Sequence, residues 1–284
     1  MSTNAAVSLL LLLLILAAVV FKVVFWPRIR LDRIRRQPIP PEWLNTIERR
    51  LPFYRNLPVN LQQQLQERVK IFIADKNFVG CAGQHVDDEI RVTVAAQACL
   101  LLLNRNTDCY RELRSILIYP STFVARREVQ DELGLVSIDS AELLGESWEQ
   151  GKVILAWDSV EKGVHDLQDG HNVVLHEFAH QLDHQSGATN GAPVLSARGA
   201  YRSWSHVLSR EFEELQENYR TGRESLLDYY GATNPAEFFA VATETFFERP
   251  AQMRHRHREL YNELTEFFRV DPVQWHDPAD QQQT

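Results

Sequence analysis

Cysteine is scarce in this chain of 284 residues, which contains only Cys81, Cys99 and Cys109. An odd number of cysteines without a C-x-x-C pair argues against a disulfide framework and against a cysteine-based zinc motif. We therefore expect reduced thiols that bind no metal, as is usual on the cytoplasmic side of a membrane.

Positive charge is missing from the N-terminus, where the first basic residue is Lys22. A cleaved signal peptide carries positive charge before its apolar run, so this alternative is disfavoured. The run from Ala5 to Phe21 is uncharged, and its apolar character continues to Trp26. About 20 apolar residues can cross a bilayer. Because basic residues follow the run, the sequence predicts a single transmembrane anchor over residues 1–27 in the cell inner membrane, with the C-terminal side in the cytoplasm.

The charge of the chain is divided unevenly along its length. The formal net charge is −8, and the first 36 residues contain six basic residues and one acidic residue. The remainder has 24 basic and 37 acidic residues, a net charge of −13. An acidic domain of this kind is an unlikely partner for nucleic acid, so we expect none.

Prolines mark one boundary. Pro38, Pro40 and Pro41 indicate a short stiff linker. We predict a basic juxtamembrane segment and linker over residues 28–60, one domain over 61–272 and a C-terminal tail over 273–284, without a second linker or an internal repeat.

Hydrophobic periodicity predicts both helices and strands. Leu61–Asp75 has helical spacing and Val92–Leu103 is typical of a buried helix. The segments Arg114–Val124 and Lys152–Val160 each contain a run typical of a strand. The second of these precedes the most informative motif of the chain and could pair with an extended peptide, or be an ordinary sheet strand.

That motif is His176-Glu177-Phe178-Ala179-His180, which reads H-E-x-x-H. On a helix, residues four apart lie roughly 400° apart, so both imidazoles leave one face and can converge on one ion. Glu177 lies about 100° round the helix, within reach of a metal-bound water. Two neutral imidazoles and a carboxylate suit Zn²⁺ and leave its fourth position open. The alternative is a charged surface helix with two ordinary histidines.

The residues around the motif favour a helix with two distinct faces. Either His171 or Asn172 could cap its start. Val174, Phe178 and Leu182 form an apolar row for a core, while Asp183 continues the row of the two histidines. Asp183 is a candidate acceptor that fixes a histidine tautomer, although a surface acid at a helix end is an equal alternative.

A third ligand has to come from another segment. Asn234 and Pro235 predict the start of a helix, and Glu237 lies in its first turn. Glu237 could be the ligand or could only reach back to the backbone. Glu244, seven residues on, lies on the same face and is the rival candidate. His184 lies about 12 Å along the helix from His176 and lacks the glycine turn of the extended motif, so it is a poor candidate.

These motifs together resemble the Mlc titration factor A family of zinc peptidases, a gluzincin-like group. The resemblance rests on His-Glu-Phe-Ala-His-Gln-Leu-Asp at 176–183 and Asn-Pro-Ala-Glu-Phe-Phe-Ala at 234–240. It also includes Gly145–Trp148 and Leu155–Asp158, and covers roughly Leu61 to Pro272. It implies an α+β fold with a zincin-like metallopeptidase domain, mostly helical with a small mixed sheet, here preceded by one transmembrane helix.

The resemblance also implies a function. One Zn²⁺ per chain would be held by His176, His180 and Glu237, with Glu177 as the catalytic base. Tyr230 would stabilise the oxyanion, the alternative being a tyrosine at a helix entry. The implied protein is a zinc-dependent peptidase that hydrolyses peptide or protein substrates with a metal-activated water, at the cytoplasmic face of the membrane. The best-known member is a soluble aminopeptidase that binds the glucose repressor Mlc. The alternative function is therefore a zinc-containing protein that sequesters a transcriptional regulator with little hydrolysis.

Overall fold

The computed structural model describes residues 3–105, 110–122, 151–166, 168–195, 197 and 199–276. The α-helices are α1 (Thr3–Val20), α2 (Trp26–Arg36), α3 (Pro41–Arg50), α4 (Val59–Asp75), α5 (Asp88–Leu100), α6 (Trp157–His165), α7 (Val173–His184), α8 (Ala200–Thr221), α9 (Pro235–Glu248), α10 (Pro250–Arg256) and α11 (Arg258–Phe268), and the strands are β1 (Asn77–Gly80), β2 (Ser115–Tyr119) and β3 (Lys152–Ala156). The expectation of a mostly helical protein with a small sheet is confirmed. Cys109 and the Gly145–Trp148 segment lie outside the described residues.

The described sheet has three strands in the order β1-β2-β3, and both pairs are parallel. Phe78 is opposite Ile116, which in turn is opposite Val153. The predicted mixed sheet is therefore wrong for this part of the chain. The physical reason is the connection, because α5 carries the chain from the end of β1 back to the edge where β2 begins, and such a crossover makes neighbouring strands parallel.

The N-terminal helix is shorter than the predicted anchor over residues 1–27. α1 has 18 residues. A π-helical turn over Phe21–Phe25 follows, and it contains Lys22. Within the described residues, none of the helices combines the length and apolarity needed to cross a membrane. The predicted transmembrane helix at residues 1–27 and the single-pass inner-membrane location are therefore wrong.

The core lies against the apolar row of α7. Val174, Phe178 and Leu182 are each at most 1% exposed. The ring of Phe178 packs at 5.7 Å from that of Phe72 and at 4.8 Å from that of Tyr110, measured between centroids. Burying side chains of this size stabilises a fold by roughly 1.5–3 kcal/mol each. One face of α7 is thus fixed in the core, and its opposite face is directed towards α9.

Candidate metal centre

The helix that carries the H-E-x-x-H motif begins at a side-chain cap. Asn172 Oδ1 accepts hydrogen bonds from the backbone N–H groups of Val174 at 3.1 Å and Leu175 at 3.0 Å. These bonds satisfy donors that a helix start otherwise leaves unpaired. Of the two caps considered from the sequence, the structure therefore uses Asn172 and not His171. The cap fixes the first turn of α7, and His176 is the fourth residue of this helix.

The facing helix begins in the same way. Asn234 Oδ1 accepts from the N–H groups of Ala236 at 2.9 Å and Glu237 at 3.0 Å, and Pro235 occupies the first helical position. Glu237 is therefore held in the first turn of α9, where it is 4% exposed. Its carboxylate lies close to the two histidines instead of turning back to the cap.

Three side chains converge where α7 faces α9. Glu237 Oε2 lies 2.9 Å from His176 Nε2 and 3.3 Å from His180 Nε2. The two Nε2 atoms are 3.2 Å apart. Among the described residues, these three form the cluster whose ligand atoms lie mutually close enough for one ion.

These distances fit a tetrahedral ion. Two ligand atoms that each lie 2.0–2.1 Å from Zn²⁺ at a tetrahedral angle are about 3.3 Å from each other. All three observed separations, 2.9, 3.2 and 3.3 Å, are close to that spacing. Two imidazole nitrogens and one carboxylate oxygen are also the donor set that zinc prefers at catalytic sites. The residues present therefore fit a single metal ion.

Glu244 contacts the other nitrogen of the same histidine. His176 Nδ1 donates to Glu244 Oε1 at 2.7 Å. The second carboxylate oxygen of Glu244 accepts from the backbone N–H of Asn172. A carboxylate on the outer nitrogen fixes the tautomer and leaves the inner nitrogen free for a metal. The rival for the third ligand thus lies behind His176, in the role that the sequence suggested for Asp183.

Asp183 has a different partner. Its Oδ2 accepts from the backbone N–H of Gly191 at 2.6 Å. Gly191 has a φ of +77°, and its carbonyl accepts from Trp204 Nε1 at 3.0 Å. A Cβ at this position would lie only 2.4 Å from the carbonyl oxygen of Pro235, the first residue of α9. Asp183 therefore fastens the loop after α7 against the start of the helix that carries Glu237.

Electrostatics differ between the two histidines. Burial lowers the pKa of His176, but Glu244 and Glu237 outweigh this effect and raise that pKa well above its usual range. Burial lowers the pKa of His180. Burial also opposes ionisation of Glu237, yet hydrogen bonds with the two histidines keep its pKa well below the usual range. Glu237 is therefore ionised beside the two histidines, and its negative charge favours a cation there.

The remaining predicted residues border the cluster. Glu177 is 3% exposed, and its charge acts on the neighbouring His176. Tyr230 lies on the 3-10 turn Tyr229–Ala232, where Asp228 Oδ1 accepts from its N–H at 2.6 Å. Its ring centroid is 5.9 Å from that of His176, and the residue is 44% exposed. Tyr230 thus lies on the solvent side of the centre.

A pair of histidines one turn apart with a glutamate from a facing helix is typical of a metallopeptidase. A family model described as glucose-regulated metallo-peptidase M90 matches residues 25–269, and the chain belongs to this family. An uncharacterised protein of Synechocystis is 39% identical over 249 residues, which covers 87% of this chain and 90% of that protein.

Two further relatives carry the name Mlc titration factor A. The one from Serratia proteamaculans is 33% identical over 78% of this chain and 85% of its own length. The one from Escherichia fergusonii is 31% identical over 89% of this chain and 96% of its own length. The resemblance found in the sequence is thus confirmed, and membership of this family implies a metal-dependent protein.

A buried acid behind the centre was not anticipated from the sequence. Glu248 lies one turn after Glu244 on α9 and is 4% exposed. Its Oε1 accepts from Asn172 Nδ2 at 2.9 Å. Burial raises the pKa of Glu248 well above its usual range, and the nearby charges of Glu244 and Asp169 add to this shift, while the bond from Asn172 opposes it. Glu248 therefore connects the cap of α7 to α9 in a form that resists ionisation.

This shift predicts a pH-dependent stability. A carboxyl whose pKa is raised in the folded state stabilises that state fully below the unfolded pKa of about 4.3. This stabilisation is lost as the pH rises towards the folded pKa. Between these two pKa values, the free energy of unfolding of Glu248→Gln should rise relative to that of wild type, by up to about 1.4 kcal/mol per pH unit. Urea unfolding of both proteins with EDTA, from pH 5 to 8, measures this difference. The exposed Glu213→Gln should show no such trend, and parallel curves for Glu248→Gln and wild type would contradict the assignment.

Proposed function

We propose that the chain is a zinc-dependent peptidase that hydrolyses peptide bonds. One observation carries the proposal: the Nε2 atoms of His176 and His180 and the Oε2 atom of Glu237 all lie within 3.3 Å of one another. A bound zinc would supply a Lewis acid that polarises the scissile carbonyl and lowers the pKa of water at the site. The role of the three side chains is to hold that ion with one position open to solvent and substrate.

Glu177 is suited to be the general base. It is buried beside His176 and is not one of the three converging side chains. A carboxylate in this position accepts the proton of the attacking water and later donates it to the leaving amine. Tyr230 lies on the open side of His176 and would donate its hydroxyl proton in a hydrogen bond to the developing oxyanion.

An extended peptide is a plausible substrate because of the position of β3. This strand is at an edge of the described sheet and contacts α7. The free edge of a strand offers backbone groups to which a peptide can add as a further strand. The side chains of the peptide would then lie along the helix that carries the two histidines.

Peptide cleavage before and after chelation tests this function. The purified full chain should contain about one zinc per chain and cleave members of a peptide library. Treatment with 1,10-phenanthroline should abolish cleavage, and added zinc should restore it. Cleavage that persists after complete removal of metal would contradict the proposal, as would an absence of cleavage by the zinc-loaded protein.

The names of two relatives support a second candidate. Proteins 31–33% identical to this chain are called Mlc titration factor A. As an alternative function, this chain would bind and sequester a transcriptional regulator while hydrolysing little. Binding of a purified Mlc-type repressor, measured with wild type and with Glu177→Gln, separates the two functions. Repressor binding by a zinc-loaded chain that cleaves no library peptide would favour sequestration.

A further inference from the structure

A second candidate site is formed by arginines that are not part of the metal centre. A cavity of about 1030 Å³ lies between α2, α4 and the segment that leads into β2. Among the described residues, five arginines line it: Arg35, Arg68, Arg105, Arg111 and Arg114. The lining residues that the structure describes do not include His176, His180 or Glu237.

In the described ranges, the acidic side chains that line the cavity pair with one of these five arginines. Asp75 Oδ2 lies 2.8 Å from Lys76 Nζ, so its charge is already paired. Glu67 Oε2 lies 3.9 Å from Arg35 Nε. Within the described part of the chain, the other four arginines form no ion pair. The cavity therefore concentrates positive charge in a chain whose net charge is −8.

Two of these arginines are held in place by backbone carbonyls. Arg68 Nη2 donates to the carbonyl of Arg105 at 2.6 Å. Arg105 Nη1 donates to the carbonyl of Phe267 at 3.2 Å, and its guanidinium lies 4.0 Å from the centroid of the Phe267 ring. Each guanidinium has five N–H donors, and each of these bonds uses one of them.

Two of these arginines, Arg68 and Arg105, are close enough to repel each other. Burial lowers the pKa of Arg105, the positive charges of Arg269 and Arg68 add to this effect and Tyr110 opposes it, and the resulting pKa is about 10. Like charges near one another cost free energy unless an anion neutralises them. Arg68 and Arg105 are such a pair, and three further arginines line the same cavity, which points to an anionic ligand.

We propose that this cavity binds a compact, multiply charged small molecule that carries phosphate groups. The planar fork of arginine matches the oxygens of phosphate, and several forks around one cavity match several phosphate oxygens. The volume of about 1030 Å³ is just above the range of about 300–1,000 Å³ that is usual for small-molecule pockets, so it exceeds what a single phosphate needs. Extended polyanions such as nucleic acid are disfavoured, because the surrounding chain is acidic.

Titration with inorganic pyrophosphate tests the proposal. The full chain is first stripped of metal with EDTA and desalted, so that pyrophosphate cannot act through a bound metal. We expect calorimetry to show saturable binding that weakens as sodium chloride is raised, since salt screens the arginines. In Arg111→Gln/Arg114→Gln, the affinity should fall at least about 10-fold, because two of the five guanidinium groups that line the cavity are removed.

A matched variant controls for the general loss of charge. Arg202 and Arg223 are exposed and do not line the cavity, so Arg202→Gln/Arg223→Gln removes two charges elsewhere. Its affinity should stay within about two-fold of wild type, since distant surface charges are screened. Equal weakening in both double variants would overturn the proposal, as would an absence of binding by wild type at millimolar pyrophosphate.

Thermal unfolding gives a second readout that does not depend on peptidase activity. Arg111 and Arg114 are exposed, so the double variant should fold without pyrophosphate. Pyrophosphate should raise the Tm of wild type and of the control variant, but not that of Arg111→Gln/Arg114→Gln. If that double variant fails to fold, the single Arg111→Gln variant replaces it. An equal rise in Tm for the cavity variant would overturn the proposal, whatever the metal centre does.

Discussion

The Glu177→Gln variant is expected to bind zinc as wild type does and to lose about 10²–10⁴-fold in kcat. Glutamine has nearly the same shape, so the buried position beside His176 stays filled. The amide cannot accept a proton at neutral pH, so the attacking water would have no base. Turnover of a peptide found in the library digest and zinc content by elemental analysis measure the two effects on one sample.

Two comparisons make the Glu177→Gln result specific. The exposed Glu213→Gln should leave kcat unchanged. Tyr230→Phe keeps the ring against His176 and removes only the hydroxyl, so it should lose roughly 10²-fold, as when a single oxyanion donor is removed. A zinc-loaded Glu177→Gln variant with wild-type turnover would show that another group is the base.

The second large effect concerns the two glutamates of α9. Glu237→Gln should weaken zinc binding by more than about 100-fold, because it removes the carboxylate that lies 2.9 Å from His176 Nε2 and 3.3 Å from His180 Nε2. Glu244→Gln should weaken it by about 10–100-fold, because Glu244 acts on Nδ1 of His176 from behind. Competition with a chromophoric zinc chelator measures both affinities.

The order of these two losses is the decisive result. Both glutamates are buried and both replacements keep the size of the side chain, so each variant is a control for the other. A larger loss for Glu244→Gln would make Glu244 the ligand and Glu237 the supporting residue. Equal losses would contradict the distinction between the two positions.

Local signals in the sequence predicted much of the centre. The apolar row of Val174, Phe178 and Leu182 and the caps Asn172 and Asn234 depend on residues a few positions apart. Spacing along the chain is sufficient for such features, because helix geometry alone decides which side chains share a face. The position of the two histidines on one face of α7 followed from the same geometry.

The partner of each histidine nitrogen could not be predicted in this way. Glu237 and Glu244 are seven residues apart and share one face of α9, so the sequence treated them as rivals. Which of them meets Nε2 and which meets Nδ1 of His176 depends on how α9 lies against α7. The sequence left Asp183 as either an acceptor for a histidine or a surface acid. Its bond with the backbone N–H of Gly191 depends on the path of the loop, which spacing along the chain does not reveal.

The two errors at the level of the fold have a similar origin. Strand direction depends on the crossover through α5, which a run of apolar residues does not reveal. The N-terminal run was interpreted from its composition, whereas α1 ends at Val20 and a π-helical turn with Lys22 follows. Both predictions depended on where an element ends and how the chain continues after it, which the composition of a segment does not reveal.

The close approach at Gly191 has a consequence for how the ion is captured. Only a hydrogen atom fits between Gly191 and the carbonyl of Pro235, so the spacing between the two metal-facing helices is set by the peptide backbone itself. The ordering of the donor atoms is therefore completed during folding, and little conformational entropy is left to lose when the ion arrives. The apoprotein should therefore already hold the donor atoms in position, and a larger residue in place of Gly191 should lower the affinity for the ion.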